Sequence, residues 1–146
     1  MRTTRQVAIY CVLRENNRDF YILVKRNEKR GGFWQPLTGG EEDFDNDIYQ
    51  TVIREINEEL SIDVARENIL DISHSFKFED KDGVERTEQC FGVVFSKNLK
   101  GRLRLSEEHT AIIWATDTDY LKSIMKYEEN RTGLEKFKKL LSSQNK

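Results

Sequence analysis

The sequence predicts a mixed α/β (α+β) domain on three observations. Two apolar, β-rich runs, QVAIYCVL at 6–13 and DFYILVK at 19–25, are separated by a short polar turn. After about Asp45 the apolar period changes from that of a strand to that of a helix. Two further strand-like stretches, 69–79 and 86–96, flank Asp82-Gly83, a strong hairpin signal.

Taken in order, the first two runs join through RENNR as a hairpin, and their near-continuous apolar character predicts strands covered on both faces. Residues 26–45 hold Gly31, Gly32, Gly39, Gly40 and Pro36, with Phe33-Trp34 in the middle, and predict a long loop. A loop of that length in a small domain is usually either functional or an element wrongly assigned. From about Asp45 to Leu60 a helix is predicted: Ile48, Val52, Ile56 and Leu60 form one i, i+4 column, widened by Tyr49 and Ile53. Asp45, Asn46 and Asp47 supply capping groups and negative charge at its start. The hairpin around Asp82-Gly83 is followed by a short strand near Ala111–Ala115, and 117–143 reads as one or two helices. The order is β-β-loop-α-β-β-β-α, mainly with antiparallel hairpin connections and with no internal repeat or linker.

Composition narrows the function. The 146 residues suit one domain, 1–146, with enough chain to bury a core without disulfides. A net charge of −2 excludes a generally cationic nucleic-acid binder. No apolar run nears the ~20 residues of a membrane span. Met1 to Gln6 carry two arginines, but no leader-type cleavage pattern follows, so a cytoplasmic protein is expected. Cys11 and Cys90 lack metal-type spacing and are expected to be buried thiols in a reducing compartment. His74 and His109 also lack such spacing and are expected to be structural.

Chemistry concentrates on the helix. Glu55, Glu58 and Glu59 stand at i, i+3 and i+4, so their side chains meet on one face, where like charges cost about 0.2–0.5 kcal/mol per pair. Three converging carboxylates form an oxygen cage for a hard divalent cation, which would offset that repulsion. A solvated, Glu-rich surface is the competing account. Gly40, fourteen residues before Arg54, closes the long loop; a glycine turn there lets the backbone approach the helix and aim carbonyls at a cation or phosphate. Lys25, Arg26, Lys29 and Arg30 are candidates for phosphate oxygens. Trp34 could stack a planar base or pterin, or anchor the loop.

From Gly40 to Ile62 the sequence resembles the Nudix box, G-x5-E-x7-R-E-U-x-E-E-x-G-U with U a bulky aliphatic. Gly40, Arg54, Glu55, Ile56, Glu58, Glu59 and Ile62 match in register, seven of nine fixed positions. The YILVKR strand and the FWQ loop also fit. The resemblance implies a Nudix-type α/β/α sandwich with a mixed, mainly antiparallel sheet. It implies Mg²⁺-dependent hydrolysis, with Mn²⁺ able to substitute, of a nucleoside diphosphate linked to another moiety. FWQPLTG, REINEELSIDV and EEHTAIIW are further similar to bacterial dihydroneopterin triphosphate diphosphatases, which also act on nucleoside triphosphates.

Two positions depart from the box. Asn46 stands where the motif has a glutamate that pairs with the box arginine, so Asp45 or Asp47 is expected to pair with Arg54 instead. Ser61 replaces the late glycine and is expected to end the helix less sharply. By resemblance, Glu55, Glu58 and Glu59 hold the metal, with a carbonyl of Gly39 or Gly40, and Arg54 buttresses the acidic helix. Glu55 is one candidate base; Glu108, on a loop where family members carry an acid, is the other. Lys25, Arg26 and Trp34 suggest a small phosphorylated substrate with a planar head, nucleoside or pterin triphosphate, cut to monophosphate and pyrophosphate. No stable nucleic-acid or membrane partner is expected, and the protein is expected to be a monomer or homodimer. The competing class is a non-hydrolytic nucleotide-binding or regulatory module on the same fold, motivated by Asn46. Dinucleoside polyphosphates and nucleotide sugars are the alternative substrates.

Overall fold

The computed structural model describes residues 2–96 and 109–144. Its centre is β1 (Arg2–Glu15), which pairs antiparallel with β2 (Arg18–Arg26). The turn between them is tight, because Asn16 and Asn17 both take positive φ (53° and 64°), the conformation that matches the twist of a two-residue hairpin. The region expected to be one long loop contains two short strands, β3 (Trp34–Gln35) and β4 (Leu37–Glu42). They are invisible as a sequence pattern because β4 reads LTGGEE, without apolar alternation. Pro36 separates β3 from β4, and β4 pairs with the first half of β1, up to Ile9 against Leu37.

The helix α1 (Ile48–Leu60) follows. Asp47 caps it by accepting from the Gln50 N–H at 3.0 Å. Its end corrects one expectation. Ser61 takes the left-handed conformation (φ 60°, ψ 38°), and its N–H closes on the Asn57 carbonyl at 2.9 Å. The helix therefore stops as abruptly as a glycine would make it, at the cost of placing a Cβ in a region that favours glycine. Ser61→Gly is expected to raise stability by about 0.5–1 kcal/mol, the strain relief less the added entropy of the unfolded chain. Urea unfolding checks this; an unchanged or lower midpoint would contradict it.

Strands β5 (Ile69–Glu79) and β6 (Glu85–Ser96) form the second hairpin. Its loop is held by the Asp80 carboxylate, which accepts from the Asp82 and Val84 N–H groups, and by Gly83 at φ 78°. β6 returns beside β1 in parallel, the one parallel pairing among the described strands and the reason the sheet is mixed. β7 (His109–Ala115) lies along the outer edge of β2. Two helices, α2 (Thr118–Ile124) and α3 (Glu128–Gln144), complete the described chain.

Strand alternation assigns each face of the sheet a core. Val7, Ile9, Leu13, Ile22, Phe91 and Val93 meet Ile48, Val52, Ile56 and Leu60 of α1. Ala8, Tyr10, Val12, Leu23 and Cys90 meet Leu121 and Met125, then Leu134, Phe137 and Leu141 of α3. This is an α/β/α sandwich with strands covered on both faces, as the apolar runs predict. Cys11 and Cys90 are buried free thiols on opposite faces, and burial pushes the Cys11 thiol up to about 12. His74 stands beside α3, with its Nδ1 3.3 Å from Lys136 Nζ. No helix among the described residues is long and apolar enough to cross a membrane.

Candidate active site

The apolar column of α1 fixes the rotation of the helix, and that rotation turns two of the three glutamates inward. Glu55 and Glu59 are 5% and 4% exposed, whereas Glu58 is on the open side. Buried carboxylates are costly without partners, so the solvated-surface account fails for two members of the cluster. β4 runs against this face. A Cβ on Gly39 would stand 2.0 Å from the Glu55 carboxyl carbon, so only glycine lets the strand pass so close. Burial pushes the Glu55 carboxyl up to about 7; Arg54 pulls the other way, and Glu58 and Glu59 add to the rise.

Arg54 organises the site. Its Nε and Nη2 donate to the two Asp45 oxygens at 3.1 and 2.9 Å, and Nη2 also donates to the Gly40 carbonyl at 2.8 Å. Nη1 donates to Glu55 Oε1 at 3.0 Å and to the Glu58 carboxylate at 3.3–3.4 Å. One guanidinium thus ties the loop to the acidic helix. Of the two acids expected to replace the box glutamate, Asp45 makes the pair; it also accepts from the Glu42 N–H and the Thr51 hydroxyl, both at 2.9 Å. Burial would raise its pKa, but these hydrogen bonds, led by Arg54, outweigh it and hold the carboxyl below its ordinary value. Asp47 instead caps α1 and pairs with Arg66. Asn46 is exposed.

The donor set facing Gly39 is all oxygen, which suits a hard divalent cation. Among the described residues, no three carboxylate, imidazole or thiol side chains already converge as a metal site. Glu55 and Glu58 have instead turned oxygens to Arg54. The Gly40 carbonyl is likewise taken by Arg54, which leaves Gly39 as the glycine against Glu55.

Thr38 and Gly39 are neighbours on β4 and point to opposite faces. Thr38 lines a cleft of about 1640 Å³ on the face carrying α3. Phe33 and Tyr127 line its rim edge to face, with centroids 5.4 Å apart. Phe76 and Phe78, 6.2 Å apart, line it from β5. Arg26 and Lys29 also line it, and the Arg26 guanidinium stands 5.8 Å from the centre of the Phe33 ring. Of the residues expected to meet substrate, Arg26 is therefore in the cleft. Lys25 and Trp34 are paired with each other across β2 and β3, away from the lining, and Trp34 packs on the α2–α3 core with a bridge to Met125. The loop-anchoring alternative describes Trp34, and its neighbour Phe33 supplies the aromatic wall. Glu108 and the Arg30 side chain lie outside the described residues.

The cleft floor holds polar groups that sequence reasoning missed. Gln6 Nε2 donates to Glu88 Oε1 at 2.5 Å, and Gln35 Nε2 donates to Thr38 Oγ1 at 3.3 Å. Glu88 and Gln35 are buried. One signal was available: Glu88 has the parity of Cys90 and Val94, so a carboxylate interrupts the inward alternation of a central strand.

The chain matches the NUDIX domain over residues 4–137. A Myxococcus xanthus octanoyltransferase is 32% identical over 110 residues, 75% of this chain but 30% of that protein, so the chain spans under a third of that curated relative. The fold is similar to that of a Caenorhabditis elegans Ap4A hydrolase in a binary complex, with a TM-score of 0.79 at 19% identity, covering 97% of this chain and 99% of that one. It is also similar to the Escherichia coli dihydroneopterin triphosphate pyrophosphohydrolase, with a TM-score of 0.72 at 23% identity, covering 93% and 95%. The matched family, the sandwich around a mixed sheet and the glutamates of the box on α1 agree, and the chain belongs to the NUDIX family.

Proposed function

We propose that this Nudix pyrophosphohydrolase uses a divalent cation, Mg²⁺ in the first instance, to cut a nucleoside or pterin triphosphate to its monophosphate and pyrophosphate. The observation that carries the reading is the pairing of two buried glutamates on α1, pressed on Gly39, with an aromatic cleft on the other face of the same strand. Glu55, Glu58, Glu59 and the Gly39 carbonyl would hold the cation, Glu58 by turning from Arg54. A cation so held supplies charge neutralisation on the polyphosphate and an acidified water. Glu55, pressed on Gly39 beside the cation position, is one candidate to take up a proton at its carboxylate oxygens. Arg54 keeps the loop and the helix in register rather than touching substrate. Arg26 and Lys29, at the cleft, are placed to meet phosphate oxygens.

The rival reading, a binding module without turnover, rested on Asn46. Asp45 supplies the arginine pairing that Asn46 lacks, which supports the hydrolytic reading. The neighbour acting on Ap4A keeps dinucleoside polyphosphates in the comparison. Product analysis over nucleoside triphosphates, dihydroneopterin triphosphate, dinucleoside polyphosphates and nucleotide sugars, with and without Mg²⁺, tests the proposal. Monophosphate plus pyrophosphate, formed only with Mg²⁺, is expected. Release of terminal phosphate alone, or activity confined to nucleotide sugars, would overturn it.

A further inference from the structure

The cleft has a feature that phosphate chemistry does not use. Glu88 sits on the central strand β6 at 4% exposure and lines the cleft floor. Its one hydrogen bond among the described residues is the amide of Gln6, received on Oε1. Oε2 makes none there, and among the described residues no lysine or arginine pairs with the carboxylate. A buried carboxylate with a single neutral donor is an expensive group to keep for packing alone. The register places Gln6 opposite Glu88 on one side and Gly40 on the other, with Thr38 and Gln35 further along that side. A short polar strip therefore crosses a floor otherwise flanked by Phe33, Phe76 and Tyr127.

Resting on the triphosphate reading above, we propose that Glu88 is the specificity-determining residue of the head-group subsite, and that the subsite takes a 2-amino-4-oxopyrimidine edge, the edge shared by guanine and pterins. That edge presents a ring N–H beside an exocyclic amino group, two parallel donors that match the two oxygens of a carboxylate. Its carbonyl oxygen is an acceptor for the second N–H of the Gln35 amide, the first being given to Thr38. Adenine presents a ring nitrogen lone pair where the carboxylate needs a donor. Hypoxanthine keeps the ring N–H but lacks the amino group. The aromatic walls hold any planar head by stacking, so the carboxylate is what distinguishes one head from another. Burial pushes the Glu88 carboxyl up to about 7, with Gln6 pulling it down and Glu129 raising it, so assays belong above that value, where the carboxylate is ionised.

The test compares GTP with ITP, and dihydroneopterin triphosphate with ATP, on wild type and Glu88→Gln. A hydrogen bond to a charged group corresponds to roughly 10- to 100-fold, so wild type should favour GTP over ITP by about that factor in kcat/KM. The Gln variant should lose most of that ratio, mainly through the KM for GTP. Calorimetric binding of GMP and IMP to wild type is the second measurement, and it depends neither on turnover nor on the variant folding. Tighter GMP binding without turnover of any triphosphate would support the subsite and overturn the hydrolytic reading. Turnover with equal kcat/KM for GTP and ITP, together with equal binding of GMP and IMP, would overturn the subsite and leave hydrolysis standing.

Discussion

Glu59→Gln is expected to lower the Mg²⁺-dependent kcat by about 10²–10³-fold, the size of effect seen when one preorganised electrostatic stabiliser is removed. Glu59 is 4% exposed, one turn beyond Glu55 on the face of α1 that meets β4. Were it a solvated surface charge, neutralising it would relieve repulsion of at most about 0.5 kcal/mol and leave turnover unchanged. As a cation ligand it carries half of a charge interaction that the neutral amide cannot replace. Gln is nearly as good a helix former as Glu, so α1 should persist. Steady-state kinetics across a Mg²⁺ series, with far-UV spectra as the control, measure both. Wild-type kcat in a folded variant would contradict the assignment.

The second large effect concerns stability. Asp45→Ala is expected to cost about 2–3 kcal/mol, because it removes the two-point charged hydrogen bond to Arg54, which keeps only Glu55, Glu58 and the Gly40 carbonyl. The Asp45 carboxylate is 4% exposed and Arg54 is 19% exposed, and the substitution also orphans the Thr51 hydroxyl and the Glu42 N–H. Asn46→Ala, one residue on at an exposed position, should stay within about 0.5 kcal/mol and leave turnover unaffected. Urea unfolding of the two variants separates them, and equal effects would show that the pairing has been assigned to the wrong residue. The pH dependence has a definite sign. The Asp45 carboxyl is held below its ordinary value in the fold, so its contribution is present above about pH 3.9, the unfolded value, and is lost as pH falls through the folded one. The gap between wild type and Asp45→Ala should therefore narrow only in strong acid.

What was legible in the sequence follows from how far each signal depends on neighbours in the chain. The α1 column and both hairpins are local patterns and stand where the periodicity put them, whereas of the acidic triplet only Glu55 and Glu59 turn inward and Glu58 lies on the open side. Spacing narrowed the partner of Arg54 to two acids. It could not choose between them, because the choice depends on Asp47 being needed as the helix cap. The strands β3 and β4 escaped because their regularity comes from pairing with β2 and β1, not from their own alternation. Trp34 and Phe33 show the same limit: adjacent aromatics on an extended segment face opposite ways, and only the sheet decides which reaches the cleft. Gln6 and Glu88 are 82 residues apart and meet through the parallel pairing of β1 with β6, which no local pattern announces. Ser61 misled in the other direction, since its residue type suggests a softer helix end than its backbone adopts.

Calorimetric titration of Mg²⁺ into wild type and Glu59→Gln, without substrate, tests most directly whether α1 is a cation site. Wild type should give a saturable binding isotherm, and Glu59→Gln should bind markedly more weakly while retaining its far-UV spectrum. Superimposable isotherms for the two folded proteins would contradict the metal assignment and the mechanism that depends on it.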